Sequence, residues 1–347
     1  MKRALLAASA LAALVALVVV TAAYAAYSSA KLTVSYPGGA TRIVASSAVG
    51  DDATARAAIV IPTGTTVTTS AAPGTKVGVV KAQVSALALG GALLPLSGDI
   101  IVAPPGAVPA ASQTGCIGAT SPAATYLLVL QAAGQTLNLP AYIIPTAGPL
   151  TELGAAQLVF CLPPPDIPVA SGGATFGAKF LSADMTFTGV FSPQTAALWV
   201  AFWTPWQAGN GKVNPAGTVA SANLIAPATV ALKGKRVKKR ITLAGRVALA
   251  GEGAPLPVQI WGAAGKAALR PIKVVLAKSN GVFALTLAKT AKQTSFQARV
   301  TVPETTLSGA DATGACSELF PNNALGVPCS SFTLAAASAK SGLVTVR

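Results

Sequence analysis

The stretch LKGKRVKKRITLAGRV, residues 232–247, carries two signals in one run. In its second part Ile241, Leu243 and Val247 fall on one face of an extended chain, and Thr242 and Arg246 on the other. Successive side chains of a strand point to opposite faces, so this period of two marks a strand half-buried on a sheet. The first part is charged: six of the eight residues from Lys233 to Arg240 are Lys or Arg. The spacing predicts strands at ATVAL (228–232) and RITLAGRV (240–247), with most of the basic run in the hairpin or sheet-end turn between them.

The same alternation continues downstream. PVQIW (257–261) and IKVVLA (272–277) read as strands. GVFALTLA (281–288) puts Phe283, Leu285 and Leu287 on one side. SFQARVTV (295–302) turns Phe296, Ala298 and Val300 inward and Gln297, Arg299 and Thr301 outward, and SGLVTVR (341–347) ends the series. Ser279-Asn280-Gly281 is a hairpin signal, because Asn and Gly tolerate positive φ. Seven half-buried strands over residues 227–347 predict an antiparallel sandwich.

Upstream, from Lys31 to about Ala226, short β-branched runs recur between turn clusters. They include KLTVSY (31–36), TRIVAS (41–46), ARAAIVIP (55–62), KVGVVKAQVSAL (76–87), TYLLVLQ (125–131), AQLVFCL (156–162), ADMTFTGVF (183–191) and ALWVAFW (197–203). Short strands broken at short intervals favour a sandwich or barrel over an α/β fold. No segment after residue 26 sustains a helical apolar period. The expected fold class is all-β: two consecutive antiparallel β-sandwich domains of immunoglobulin-like type, or three if the Pro-rich stretch at 104–110 divides the first region. The expected division is a leader at 1–25, a sandwich region at 26–226 and a basic sandwich at 227–347.

The leader reading rests on Lys2 and Arg3, an uncharged run from Ala4 to Ala26, and the small-x-small site Ala23-Tyr24-Ala25. That is a secretory signal pattern; an uncleaved anchor is the competing reading, since the run is long enough to span a bilayer. The four cysteines fall as one pair per half. An even count in an exported chain reads as disulfides, and the domain split favours Cys116–Cys161 and Cys316–Cys329. Loop entropy gives such bonds about 4 and about 3 kcal/mol.

Residues 227 to 347 resemble the small immunoglobulin-like or fibronectin-type modules of exported proteins from high-GC Gram-positive bacteria. The basic stretch before RITLAGRV, the strand PVQIW and the turn SNGVF carry the likeness. SNGVF is also similar to the turn of the carboxypeptidase regulatory-like β-sandwich. The resemblance implies a sandwich fold and a non-catalytic module. The chain departs from the pattern by an insertion, Pro303 to about Ser331, which holds both late cysteines.

Catalysis has few carriers. The chain has no His, which removes Ser-His-Asp and Cys-His devices and histidine metal sites. Oxidised cysteines supply no thiolate. Asp51, Asp52, Asp99, Glu152, Asp166 and Asp184 are scattered and read as turn or loop residues. Asp51-Asp52 offers two calcium ligands with no third acid nearby, so a solvated turn is the expectation. No cofactor is expected. ALWVAFWTPW (197–206) has apolar residues on both faces and reads as core, with a tryptophan platform for sugars as the sharper alternative.

Charge is uneven. Residues 26–226 hold seven Lys and Arg against six acids, and residues 227–347 hold sixteen against four. The basic run, Lys233, Lys235, Arg236, Lys238, Lys239 and Arg240, has three readings: a solvated turn, a contact for a polyanion, or a nucleic-acid site. The third is disfavoured by the lack of interleaved aromatics and of a helix to enter a groove. The sequence therefore predicts a secreted, envelope-associated, non-enzymatic binding or structural protein. Its expected partner is an anionic cell-wall polymer or another surface protein, with no nucleic acid and no membrane span beyond the leader. A carbohydrate-binding or carbohydrate-processing protein using Trp199–Trp206, and a plain spacer, are the alternatives.

Overall fold

A computed structural model of the chain describes residues 27–132, 134–238, 240–248, 256–288, 294–320 and 325–346. The expected leader, 1–25, lies outside them. The chain forms two compact units. The first takes the described residues of Met1–Pro193 with Trp199–Ala222 and Leu307–Phe332; the second takes Gln194–Leu198, Asn223–Thr306 and Thr333–Arg347. The structure is predominantly β, as expected, but the described residues include two α-helices, in segments where the sequence shows no helical period.

Chain order in the first region is β1 (Lys31–Ser35), β2 (Thr41–Ser46), β3 (Thr54–Ile61), β4 (Lys76–Ala86), β5 (Ala92–Val102), helix α1 (Ala110–Ile117), β6 (Ala124–Ala132), β7 (Gln135–Pro145), β8 (Ala156–Cys161), β9 (Ala178–Phe187), β10 (Ala197–Pro205) and β11 (Val219–Ile225). These strands lie in one sheet in the order β1-β2-β9-β4-β5-β6-β7-β8-β3-β10-β11, antiparallel from β1 through β10. The expected pair of stacked sheets is thus a single sheet here, and side chains show that it is rolled. Trp199 Nε1 of β10 donates to Tyr36 Oη, just past β1, at 3.1 Å. Tyr27, just before β1, donates to Thr54 of β3 at 3.0 Å and sets its ring 6.2 Å from that of Trp203. An edge-on chain of Tyr126, Phe187, Phe191 and Trp199 fills part of the interior.

Central strands are apolar on both sides because both sides are covered. Ile59, Val60 and Ile61 of β3 are all buried. On the outer side Ala58, Tyr142, Ile144 and Val159 pack with Ile117 of α1. The Pro-rich stretch at 104–110 leads from β5 into this helix inside the first unit. AASQTGCI is too short to form a stable helix unaided, and too short to show a period. Cys116 ties it to Cys161 of β8.

The second unit follows with β12 (Thr229–Val237), β13 (Arg240–Ala248), β14 (Pro257–Ala263), β15 (Arg270–Leu276), β16 (Val282–Ala288) and β17 (Ser295–Val302). Then come β18 (Thr305–Ser308), helix α2 (Gly309–Leu319), β19 (Cys329–Leu334), β20 (Ala337–Lys340) and β21 (Val344–Thr345). One sheet is β12-β13-β16; the other is β15-β14-β17-β20, with β21 also on β17. They share a core of Leu232, Ile241, Leu243, Val247, Phe283 and Leu285 from the first, and Val258, Ile260, Phe296, Ala298, Val300 and Val302 from the second. The residues read as inward in RITLAGRV, GVFALTLA and SFQARVTV are among these, except Leu287, which is half-buried against the same core. The insertion has a different fate: β19 and β18 extend the large sheet beyond β11, making thirteen strands, and Leu307–Phe332 belongs to the first unit. Cys316 of α2 bonds Cys329 of β19, so both expected disulfides are present and no cysteine is free.

Gly245 of β13 sits under the ring of Phe283. A Cβ there would lie 2.3 Å from both Ala231 O and Phe283 Cζ. Gly245→Ala is expected to destabilise the chain by about 1–3 kcal/mol through overpacking, read as a lowered urea midpoint. An unchanged midpoint would contradict this packing.

Candidate functional site

The basic run is mostly strand rather than turn. β12 runs through it to Val237, pairing Lys233 with Ala244, Lys235 with Thr242, Arg236 with Ile241 and Val237 with Arg240. The ladder can continue because Gly234 leaves room on the core side, where a Cβ would meet Val346 Cγ2 at 2.6 Å. Leu232 is buried, so Lys233 and Lys235 project from the opposite, outer face. On β13, Ile241, Leu243 and Val247 face the core, which sends Arg240, Thr242 and Arg246 outward. Register with β16 sets Ala288, Thr286, Ala284 and Val282 beside Arg240, Thr242, Ala244 and Arg246.

The outer face of β12-β13-β16 therefore carries Lys233, Lys235, Arg240 and Arg246 among alanines, threonines and the exposed Val237 and Val282. Arg236 lies at the far end of β12 and is exposed, as is Lys238 in the turn. Lys239 lies outside the described residues. No carboxylate sits on this face among the described residues, and the ion pairs Arg42–Asp184 and Lys76–Asp99 belong to the first unit.

The other candidates resolve as structural. Trp199 and Trp203 are 0% exposed, and their N–H groups reach Tyr36 Oη and Ser221 Oγ. Neither ring is open to a sugar. Trp206 donates to Leu162 O at 3.1 Å. Asp51 is not a solvated turn residue: it is 3% exposed and accepts from Ser28 N and Ser28 Oγ at 2.6 Å and from Ala48 N at 2.8 Å. It anchors the loop before β3. Arg42 grips Asp184 through two nitrogens at 2.8 and 2.6 Å, holding that carboxyl below the usual range. Asp166 accepts from Gly209 N. Among the described residues no cluster of three metal-ligating side chains occurs, and no helix is long and apolar enough to cross a membrane.

One feature has no counterpart in the sequence reading. The rolled sheet encloses a cavity of about 200 Å³ lined by Ile59, Leu96, Leu128, Leu130, Phe160 and Met185, among others. Ala45, Ala57, Ala82 and Ala183 stand at lining positions where a filled core carries larger side chains, but alanine is too common in the chain for these four to mark the space in the sequence.

Lys238 has φ +50, and Phe176 is the other non-glycine residue described with positive φ. A left-handed conformation costs an L-residue with a Cβ about 1–2 kcal/mol. Lys238→Gly is accordingly expected to raise unfolding free energy by about 1 kcal/mol, with Lys238→Ala close to wild type, as read by urea denaturation. Loss of stability in the glycine variant would show that the turn gains nothing from a left-handed residue.

No family model, curated protein or solved structure matches this chain.

Proposed function

We propose that this chain is an exported, non-catalytic binding protein that holds an anionic, phosphate-bearing polymer of the cell envelope against the outer face of β12, β13 and β16. One observation carries the reading. Lys233, Lys235, Arg240 and Arg246 share a sheet face, Arg236 and Lys238 flank its end, and no described carboxylate answers them. Cations two residues apart on a strand stand about 6.7 Å apart at their roots. The alanines and threonines between them are short enough for an extended chain to lie close to the backbone. A protein partner is less well served, because such interfaces draw much of their energy from aromatic anchors, and this face carries none among its described residues.

Export is supported by the two disulfides and by the leader pattern at 1–25. The lack of His and of free thiols supports a role without catalysis. The strand orders β12-β13-β16 and β15-β14-β17-β20 support reading the second unit as an immunoglobulin-like sandwich of the fibronectin kind, a frame that displays a binding face without chemistry of its own.

The test is retention of the purified full chain on immobilised polyphosphate, with neutral dextran as control. Retention is expected on polyphosphate alone, weakening about tenfold or more between about 50 and about 200 mM salt as released counterions lose their drive. Changing Lys233, Lys235, Arg236, Lys238, Lys239 and Arg240 together to Ser is expected to abolish it, and Trp206→Ala to leave it intact. Retention that survives the six-fold Ser change sinks the proposal. Capture by phosphatidylglycerol vesicles with none by polyphosphate also sinks it.

A further inference from the structure

We infer that the rolled sheet of the first unit binds a single lipid acyl chain in its interior. Three alanines shape one wall of the interior. The register pairs Ala45 of β2 with Ala183 of β9, and Ala183 with Ala82 of β4. All three line the cavity, so they form one row of methyl groups across three neighbouring strands. Opposite and around this row stand Ile59, Val80, Leu96, Leu128, Leu130, Phe160 and Met185, each nearly fully buried. A tightly packed interior leaves few voids larger than a water molecule; an apolar space of about 200 Å³ with this lining is shaped for hydrocarbon.

Polar groups in the lining are few: Thr54, Asn138, Thr175 and Lys179. The Lys179 ammonium is already engaged, donating to Val49 O at 2.8 Å and to Asp51 O. Asp51 and Asp52 stand close enough to act on its charge. No unmatched charge stands in the lining to answer that of a nucleotide or an ionic metabolite, which leaves a charged head group outside.

The mouth extends this apolar lining onto the surface. Leu137, Leu139, Val84, Pro163 and Ala178 rim the cavity. Ala178 pairs with Ala86, which leads into the turn Leu87–Leu89 closing the β4–β5 hairpin. Leu87 lies beside the neighbouring turn Thr175–Gly177, where a Cβ on Gly177 would be 3.2 Å from Leu87 Cβ. Leu89 and Leu93 are 52% and 53% exposed on the same hairpin end, and Phe176 is 39% exposed at φ +58. Strained residues of this kind concentrate at ligand clamps. The cluster gives a hydrocarbon tail an apolar path from bulk lipid to the interior, and the occupant fitted to both is an unbranched aliphatic chain.

Displacement of cis-parinaric acid from the full chain, followed by its fluorescence, tests this directly. Saturated fatty acids of increasing length are expected to compete about fourfold better per added methylene, reaching a plateau when the cavity is full. Lysophosphatidylcholine carrying the same chain separates the sources: equal competition means that the chain alone is recognised. A preference for either head group identifies the natural donor and keeps the chain-length dependence. Ala183→Phe, which fills the row, is expected to weaken probe binding at least tenfold while keeping a native circular-dichroism spectrum and cooperative melt. Should that variant fail to fold, Leu137→Asp at the half-exposed rim is expected to give the same loss. No saturable probe binding by the wild-type chain, no length dependence, or wild-type affinity in a folded Ala183→Phe variant would each overturn the inference. The six-fold Ser variant of the basic hairpin is expected to bind the probe normally, so this site and the polymer face fail independently.

Discussion

A strongly twisted sheet of thirteen strands rarely stays open. Twist accumulates with every strand, and a strongly twisted open sheet of this size curls or splits. Here it curls, and among the described residues the contacts that close it are side-chain hydrogen bonds. Ser331 of β19 donates to Ala30 O at 2.6 Å, and Ser330 Oγ lies within 3.0 Å of both Ala30 O and Ala220 O. These residues are near opposite ends of the strand order, so a hydroxyl stands where a strand pairing would in a fully hydrogen-bonded barrel. Tyr27 and Tyr36 bracket β1 and seat it on Thr54 and Trp199 of other strands. Much else depends on this closure: the burial of both large tryptophans, the interior space, and the need for residues 329–334 to return to a sheet begun some 300 residues earlier.

The placement of α1 follows from the same constraint. A rolled sheet has an outer surface that must also be covered where it is apolar. α1 and α2 are short and rich in Ala, Gly, Ser and Thr, a composition with no strong helical drive. Each carries one cysteine, and each disulfide joins that helix to a strand of the large sheet: Cys116 to β8, Cys316 to β19. Covalent tethering replaces the extended apolar stripe that a longer helix would use, which is why both helices left no period in the sequence.

Legibility follows the range of the interaction responsible. The alternation in RITLAGRV, GVFALTLA and SFQARVTV is local, and it correctly separated the core-facing set from the outward set. The cysteine pairs were legible from their distribution, and the core role of Trp199 and Trp203 from apolar neighbours on both faces. The β12 extension was not, because a Lys-rich run reads as turn; only the register with β13, and Gly234 over Val346, show why it is strand. Nor could the sequence assign Asp51, whose carboxylate is held by Ser28 and Ala48 through contacts that exist only after β1 docks. The interior row Ala45–Ala183–Ala82 is the extreme case. Alanine is common throughout this chain, and only pairing across three strands distant in sequence turns three of them into a surface.

The two units differ in how their charge is placed. In the first unit Arg42 is matched to Asp184 and Lys76 to Asp99, both between paired or neighbouring strands. Exposed pairs of this kind contribute little to stability, but they leave little net field. Its distinctive property is the reverse of charge: an interior lined by hydrocarbon with its one ammonium already bonded to backbone carbonyls. In the second unit the sheet β12-β13-β16 carries cations in register with alanine and threonine. Like charges on adjacent positions repel, and a left-handed Lys238 adds a conformational cost at the hairpin end. Charges on an edge strand such as β12 guard its unpaired backbone groups against further pairing. Arg240 and Arg246 lie on the central strand β13, so edge protection accounts for the lysines of β12 and not for these two.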